Sequence, residues 1–213
     1  MTATVQDILD CIEHFAPGRL AESWDNVGLM IGNPEATVRG ILTGLDPTVE
    51  LLEEASARGA NLLVTHHPVI FHPLQSLDLQ SPQGQFIESA IRMRINVISC
   101  HTNLDAAPRG VSDVLAVRLG LTGVRPLVPD SAGGDGCGLG RIGSFAEPLA
   151  AGGFLDLLRT ACNPPWLLAA GPRPFRIDRA AVCGGSCSSA AEAALQAGAQ
   201  VFVTAEVKHS TAR

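Results

Sequence analysis

An α/β fold, layered α-β-α with mostly parallel sheets, follows from three features of the 213-residue chain. Short apolar runs alternate with segments of helical periodicity along most of its length, as expected of strands covered by helices. Asn61–Thr65 reads as a strand buried on both faces, the usual state of a parallel strand. The chain also resembles itself. Residues 53–65, EEASARGANLLVT, and residues 192–204, EAALQAGAQVFVT, share Glu53/Glu192, Ala55/Ala194, Gly59/Gly198, Ala60/Ala199, Val64/Val203 and Thr65/Thr204 at a constant offset of 139. Each copy reads as strand, turn, helix and strand, so two similar α/β subdomains are expected, at residues 1–125 and 126–213.

The elements follow in order. Val5, Ile8, Leu9, Ile12 and Phe15 recur at helical spacing, with Thr4-x-x-Asp7 as a capping-box start and Pro17-Gly18 as the stop. Trp24 to Gly32 reads as a turn feeding a short apolar strand. A strand at Ile41–Leu45, a helix over Thr48–Arg58 with Gly59 at its C-terminus, and the Asn61–Thr65 strand come next. A helix near Gln85–Arg94 leads into a strand at Asn96–Cys100. Pro126–Gly140, rich in Gly, Pro and Asp, reads as a linker or long loop. Beyond it lie a strand at Gly140–Phe145, a helix over Leu149–Ala161, a Pro-rich passage from Asn163 to Pro174, and the second copy of the repeat.

Composition narrows the function. Apolar residues at 46%, charged residues at 17% and a mean hydropathy of +0.22 exclude a disordered chain. No apolar run approaches the roughly 20 residues that span a bilayer, and no basic stretch leads into an apolar one at the N-terminus. A formal charge of −6 and only 15 Lys plus Arg argue against a nucleic-acid partner. The lack of Tyr and an aromatic content of 4% weaken a single-strand stacking surface. A cytoplasmic protein with reduced thiols is expected. Cys183 and Cys187 flank Gly-Gly-Ser, which reads as a turn after a strand or as a spacing able to hold a metal or a disulfide.

Candidate chemistry collects at strand ends. In open α/β sheets the ligand crevice lies beyond the carboxyl ends of the strands. His66-His67-Pro68 leaves the buried strand after Thr65, and adjacent histidines there can feed two neighbouring metal ions or cap backbone groups. His101 and Asp105 follow the next strand and supply an imidazole and a carboxylate, a mixed set that divalent ions favour. His101 reads equally as a donor behind the ligands, and Asp105 as a turn residue. Glu206 and His209, after Thr204, are open between ligand, acid/base and ordinary loop roles. His14 and His72 have no such placement and read as structural or solvated.

Taken together, Trp24-Asp25-Asn26-Val27-Gly28-Leu29, Thr65-His66-His67-Pro68 and His101-Thr102-Asn103-Leu104-Asp105-Ala106-Ala107 resemble the GTP cyclohydrolase I type 2-like family, also called NIF-three-like dinuclear-metal proteins. Gly138–Gly143, the Cys183-Gly184-Gly185-Ser186 turn and Val203–His209 are similar too, so the likeness runs through the whole chain. The resemblance implies two subdomains facing a metal cleft, with two divalent ions (zinc, manganese or iron) and His66, His67 and Asp105 as ligands. It implies a ring-like homohexamer and a small-molecule partner, possibly a nucleotide in the sense of the family name. The resemblance also implies a His-x-x-x-Glu motif beyond Lys208-His209, and no His or Glu follows His209 up to Arg213 here. The expectation is therefore a second subdomain incomplete at its C-terminus, with an incomplete metal shell. The activity implied is hydrolysis of a nucleotide or related ring substrate, with His101 or Glu206 handling protons. No Gly-Lys-Ser/Thr phosphate loop accompanies it. A non-enzymatic metal-binding or regulatory scaffold is the alternative.

Overall fold

The first helix forms as its sequence predicts. In α1 (Val5–Phe15), Thr4 Oγ1 accepts from the Asp7 amide at 3.2 Å and the Asp7 carboxylate accepts from the Thr4 amide at 2.7 Å, closing the capping box. The structure, a computed structural model, describes residues 2–130 and 134–211. It divides into two compact units, Met1–Leu104 and Asp105–Arg213.

The first unit holds β1 (Gly28–Ile31), β2 (Ile41–Gly44), α2 (Val49–Ala57), β3 (Leu62–Thr65), α3 (Pro82–Met93) and β4 (Asn96–Ser99). Its sheet runs in the order β1-β4-β3-β2. Side chains alternate across the central strands as the strand period requires. Leu63 and Val97 pack with Leu52, Phe86 and Ile87 of the α2–α3 layer, whereas Leu62, Val64 and Ile98 pack with Val5, Ile8 and Ile12 of α1. The result is α-β-α. Leu52, Leu62 and Leu63 are fully buried, and each such side chain contributes about 1.5–3 kcal/mol by leaving water.

The short helix α4 (Thr102–Ala106) carries the chain across the division. The second unit then holds α5 (Val111–Arg118), β5 (Thr122–Pro129), β6 (Gly138–Leu149), α6 (Ala151–Cys162), β7 (Ile177–Val182), α7 (Ala191–Gln196) and β8 (Val201–Val203), with sheet order β5-β6-β7-β8. Ala180 and Val182 face Ala116 of α5 and Phe154 and Leu158 of α6, while Ala181 and Cys183 face Ala190 and Ala194 beside and within α7. This unit is layered in the same way.

Three expectations change. The sheets are mixed rather than mostly parallel: β2, β3 and β4 run parallel and so do β7 and β8, but β1 is antiparallel to β4, and β5, β6 and β7 alternate. For β5 and β6 the physical reason is connection length: β6 begins at Gly138, too soon after β5 ends at Pro129 for a parallel crossover, which needs about a dozen or more residues. Pro126–Gly140 is not simply a linker, because Pro126–Pro129 ends β5 and Gly138 opens β6. Proline is tolerated there because β5 is an edge strand; residues 131–133 of that stretch lie outside the described residues. The division falls at Leu104/Asp105, ahead of the expected 125/126, because α5 and β5 pack with β6 and Leu119 and Leu121 enter the second unit's core.

The repeat is visible in detail. β2–α2–β3 and β7–α7–β8 each place two adjacent parallel strands around a helix. Both helices end the same way: Ala60 N donates to Ala55 O at 2.8 Å and Ala199 N donates to Ala194 O at 3.0 Å. Gly59 and Gly198 supply the left-handed turns, at φ +73° and +76°. Within the second unit, buried Arg141 ties three segments together, bidentate to Asp113 and donating to the carbonyls of Ala107, Gly138 and Gly140. Among the described residues no helix is long and apolar enough to cross a membrane.

Candidate metal centre

Parallel pairing of β3 and β4 runs in register to Thr65 opposite Ser99, so the residues that follow both strands emerge at one sheet edge. The backbone there is pinned. His66 N donates to Gly44 O at 3.1 Å, His67 N to Leu45 O at 2.9 Å, and Ser99 Oγ to His66 O at 2.9 Å. The imidazoles of His66, His67 and His101 converge, with ring centroids 5.1–5.5 Å apart. One ring nitrogen from each lies within 4.8 Å of the others, a spacing that can hold a metal ion.

Each ring is oriented through Nδ1. His66 Nδ1 lies 2.8 Å from Cys100 O, and a carbonyl only accepts, so this nitrogen carries the proton. His67 Nδ1 meets Asp46 Oδ1 at 2.6 Å, and His101 Nδ1 meets Asp25 Oδ1 at 2.8 Å. With Nδ1–H committed in all three, Nε2 keeps its lone pair. This is the arrangement of metal-binding histidines backed by a carboxylate or carbonyl.

The two carboxylates differ. The Asp25 side chain is fully buried and His101 is 16% exposed, whereas Asp46 and His67 are 60% and 44% exposed. Asp25 Oδ1 also accepts from the Asn26 amide at 2.8 Å, and Oδ2 accepts from the Thr102 amide at 3.0 Å and the Thr102 hydroxyl. Burial pushes the Asp25 carboxyl up, but the hydrogen bonds from His101, Thr102 and Asn26 outweigh it and hold it below the ordinary aspartate value. Sequence reasoning assigned no role to Asp25 or Asp46. Asp25 was legible only as part of the Trp24–Leu29 motif, and Asp46 lies between the expected Ile41–Leu45 strand and the Thr48–Arg58 helix.

The other expected site residues belong to the second unit. Asp105 lies on α4 with Oδ1 shielded from solvent, 3.8 Å from where a Cβ on Gly184 would sit. A hydrogen bond with Cys187, then burial, then the charges of Cys187 and Asp105 push the Cys183 thiol up. Glu206 is exposed beyond β8, its backbone carbonyl accepting from Ser188 Oγ at 3.2 Å. His209, His14 and His72 are exposed, and the metal-competent group among the described residues consists of His66, His67 and His101.

An α/β protein with a three-imidazole cluster at the carboxyl edge of its parallel strands is the class so defined. Residues 3–213 match the Duf34/NIF3 (NGG1p interacting factor 3) family model, and the chain belongs to that family. It is 34% identical over 208 residues to a Streptomyces coelicolor protein named GTP cyclohydrolase 1 type 2 homolog, covering 96% of this chain and 73% of the relative. A Clostridium acetobutylicum protein of the same name is 31% identical over 209 residues, covering 98% and 78%. Among solved structures, a Staphylococcus aureus hypothetical protein matches with TM-score 0.93 at 31% identity, covering 100% of this chain and 82% of that one. Reduced HcgD from Methanocaldococcus jannaschii matches with TM-score 0.81 at 26% identity, covering 99% and 82%.

Proposed function

We propose that this protein is a divalent-metal-dependent hydrolase acting on a nucleotide or related ring substrate, with His66, His67 and His101 holding an ion through Nε2. The observation that carries the reading is the three-imidazole cluster with every Nδ1 already engaged. Imidazole nitrogen suits zinc, iron and other transition ions, so the donor chemistry fits the group that the family resemblance implies. Bound there, a divalent ion lowers the pKa of water and polarises an oxygen of the substrate.

The chain's own residues supply orientation. Asp25 and the Cys100 carbonyl fix two rings from buried positions, and Asp46 steadies the third from the surface. In this reading His101 is a ligand rather than a proton carrier, because its protonated nitrogen is tied to Asp25 and its other nitrogen belongs to the cluster. Glu206 remains the proposed proton carrier. Asp105 is the proposed oxygen donor of a dinuclear centre, on the strength of the resemblance. A cytoplasmic setting and a homohexamer belong to the same proposal.

The experiment is metal analysis and turnover on one preparation. Chelator-stripped protein is reloaded with zinc or manganese, its metal content is measured, and GTP is followed by the change in guanine absorbance. The expected result is bound metal that His66→Ala and His101→Ala lose, with metal-dependent loss of the guanine ring. Tight metal without turnover of any nucleotide would favour the non-enzymatic scaffold. No retained metal overturns the proposal.

A further inference from the structure

Two large aromatic rings stand beside the imidazole cluster without entering the core. Trp24 is 53% exposed and Phe71 36%. Their centroids are 5.7 Å apart, and both stand in T-shaped contact with the His101 ring, at 6.2 Å and 74° for Trp24 and at 6.3 Å and 69° for Phe71. Exposed apolar side chains scattered singly need no explanation, but adjacent ones rimming a polar cluster do.

The backbone that carries these rings is fixed. Asn26 Nδ2 donates to Ile70 O, joining the loop of Trp24 to the loop of Phe71. Asp25, next to Trp24, is held by His101 and Thr102, and its amide donates to Glu22 O at 2.9 Å. Gln83 Nε2 donates to the Val69 carbonyl and secures the other loop. Rings hung on a frame tied this way give up little freedom when a flat ligand settles on them, the condition under which stacking yields affinity.

We propose that Trp24 and Phe71 form a stacking face for a planar heteroaromatic ring, a nucleobase or one of similar size, whose edge is turned toward the three imidazoles. The proposal rests on the reading of the imidazole cluster as the reaction centre and adds the part of the substrate that is recognised. Every heteroaromatic ring has a π-face that Trp and Phe accept, whereas a sugar or a phosphate has none.

The test is calorimetric binding of guanosine to the full chain, zinc-loaded and chelator-stripped, with ribose 5-phosphate as the ringless control. Guanosine should bind and the control should not. Trp24→Ala and Phe71→Ala should each weaken guanosine about tenfold or more, and Trp24→Phe should stay within about threefold, as expected for loss or retention of one stacked ring. Zinc content should be unchanged in all three variants, with circular dichroism verifying their fold. Wild-type guanosine affinity in Trp24→Ala and Phe71→Ala, ribose 5-phosphate binding as tight as guanosine, or no guanosine binding to the wild type overturns the proposal. So does a change of oligomeric state in Trp24→Ala, which would make the rings a subunit contact. Guanosine binding by a protein that retains no zinc would refute the metal reading and leave the stacking face standing.

Discussion

Asp25 and His101 are 76 positions apart in the chain and meet at 2.8 Å, carboxylate oxygen to Nδ1. The contact sets which imidazole nitrogen keeps its lone pair. A carboxylate can only accept, so the ring donates from Nδ1 and presents a bare Nε2. Asparagine in its place can turn its NH2 toward Nδ1, move the ring proton to Nε2 and block the lone pair.

Asp25→Asn should therefore weaken metal binding about 10–100-fold, the usual cost of losing a partner behind a metal-binding histidine. Asp46→Asn should cost less, because that pair is 60% and 44% exposed and water replaces the lost contact. Chelator competition on the two variants measures both. Equal losses would show that burial of the Asp25 pair has no influence.

The first helix carries a pH signature. Hydrogen bonds from the Thr4 backbone and then its side chain hold the Asp7 carboxyl below its ordinary value. A depressed folded-state pKa means that the stabilisation is fully present above the unfolded value, near pH 4, and is lost as pH falls through the lower folded one. Denaturant midpoints measured from pH 6 to pH 2 should fall less steeply in acid for Asp7→Asn than for the wild type. Thr4→Ala should lower the midpoint at neutral pH, by about 1 kcal/mol in unfolding free energy.

The strand ends that bear His66, His67 and His101 were legible in the sequence because a buried apolar run ending in polar residues marks an edge, and parallel neighbours bring such edges together. The α1 capping box and the two glycine helix ends were legible because they involve neighbours in the chain. Strand direction was not, since periodicity reports which face is buried and not which way the strand runs. Gly and Pro in Pro126–Gly140 read as a loop because an edge strand tolerates residues that a central one rejects. Asp25 and Asp46 escaped notice for a different reason. Each acts only through a histidine distant in sequence, and nothing local distinguishes such an acid from a turn residue.

Arg141 is a buried charge of the second unit, 1% exposed and bidentate to Asp113 at 2.8 Å through Nε and Nη2. Its remaining donors reach Gly138 O at 2.7 Å, Gly140 O at 2.8 Å and Ala107 O at 3.0 Å. A buried guanidinium is tolerated only when it is paired and hydrogen-bonded. Here the partners come from the strand start that carries Arg141, from α5 and from the segment before α5. Arg141→Met would take from the Asp113 carboxylate its charged partner, leaving it the Arg109 amide at 2.7 Å, and from these carbonyls their donor, a loss of about 3–5 kcal/mol of stability. Lysine at this position keeps the charge but cannot make the two-pronged contact, so Arg141→Lys should recover only part of that loss. Urea unfolding of both variants is the measurement, read as a lower midpoint at an unchanged slope. A double variant, Arg141→Met with Asp113→Leu, should be more stable than Arg141→Met alone, because the stranded charge is removed with its partner. If the double variant is no better, the cost lies in the unmet carbonyls and the Arg109 amide that loses its acceptor rather than in the ion pair.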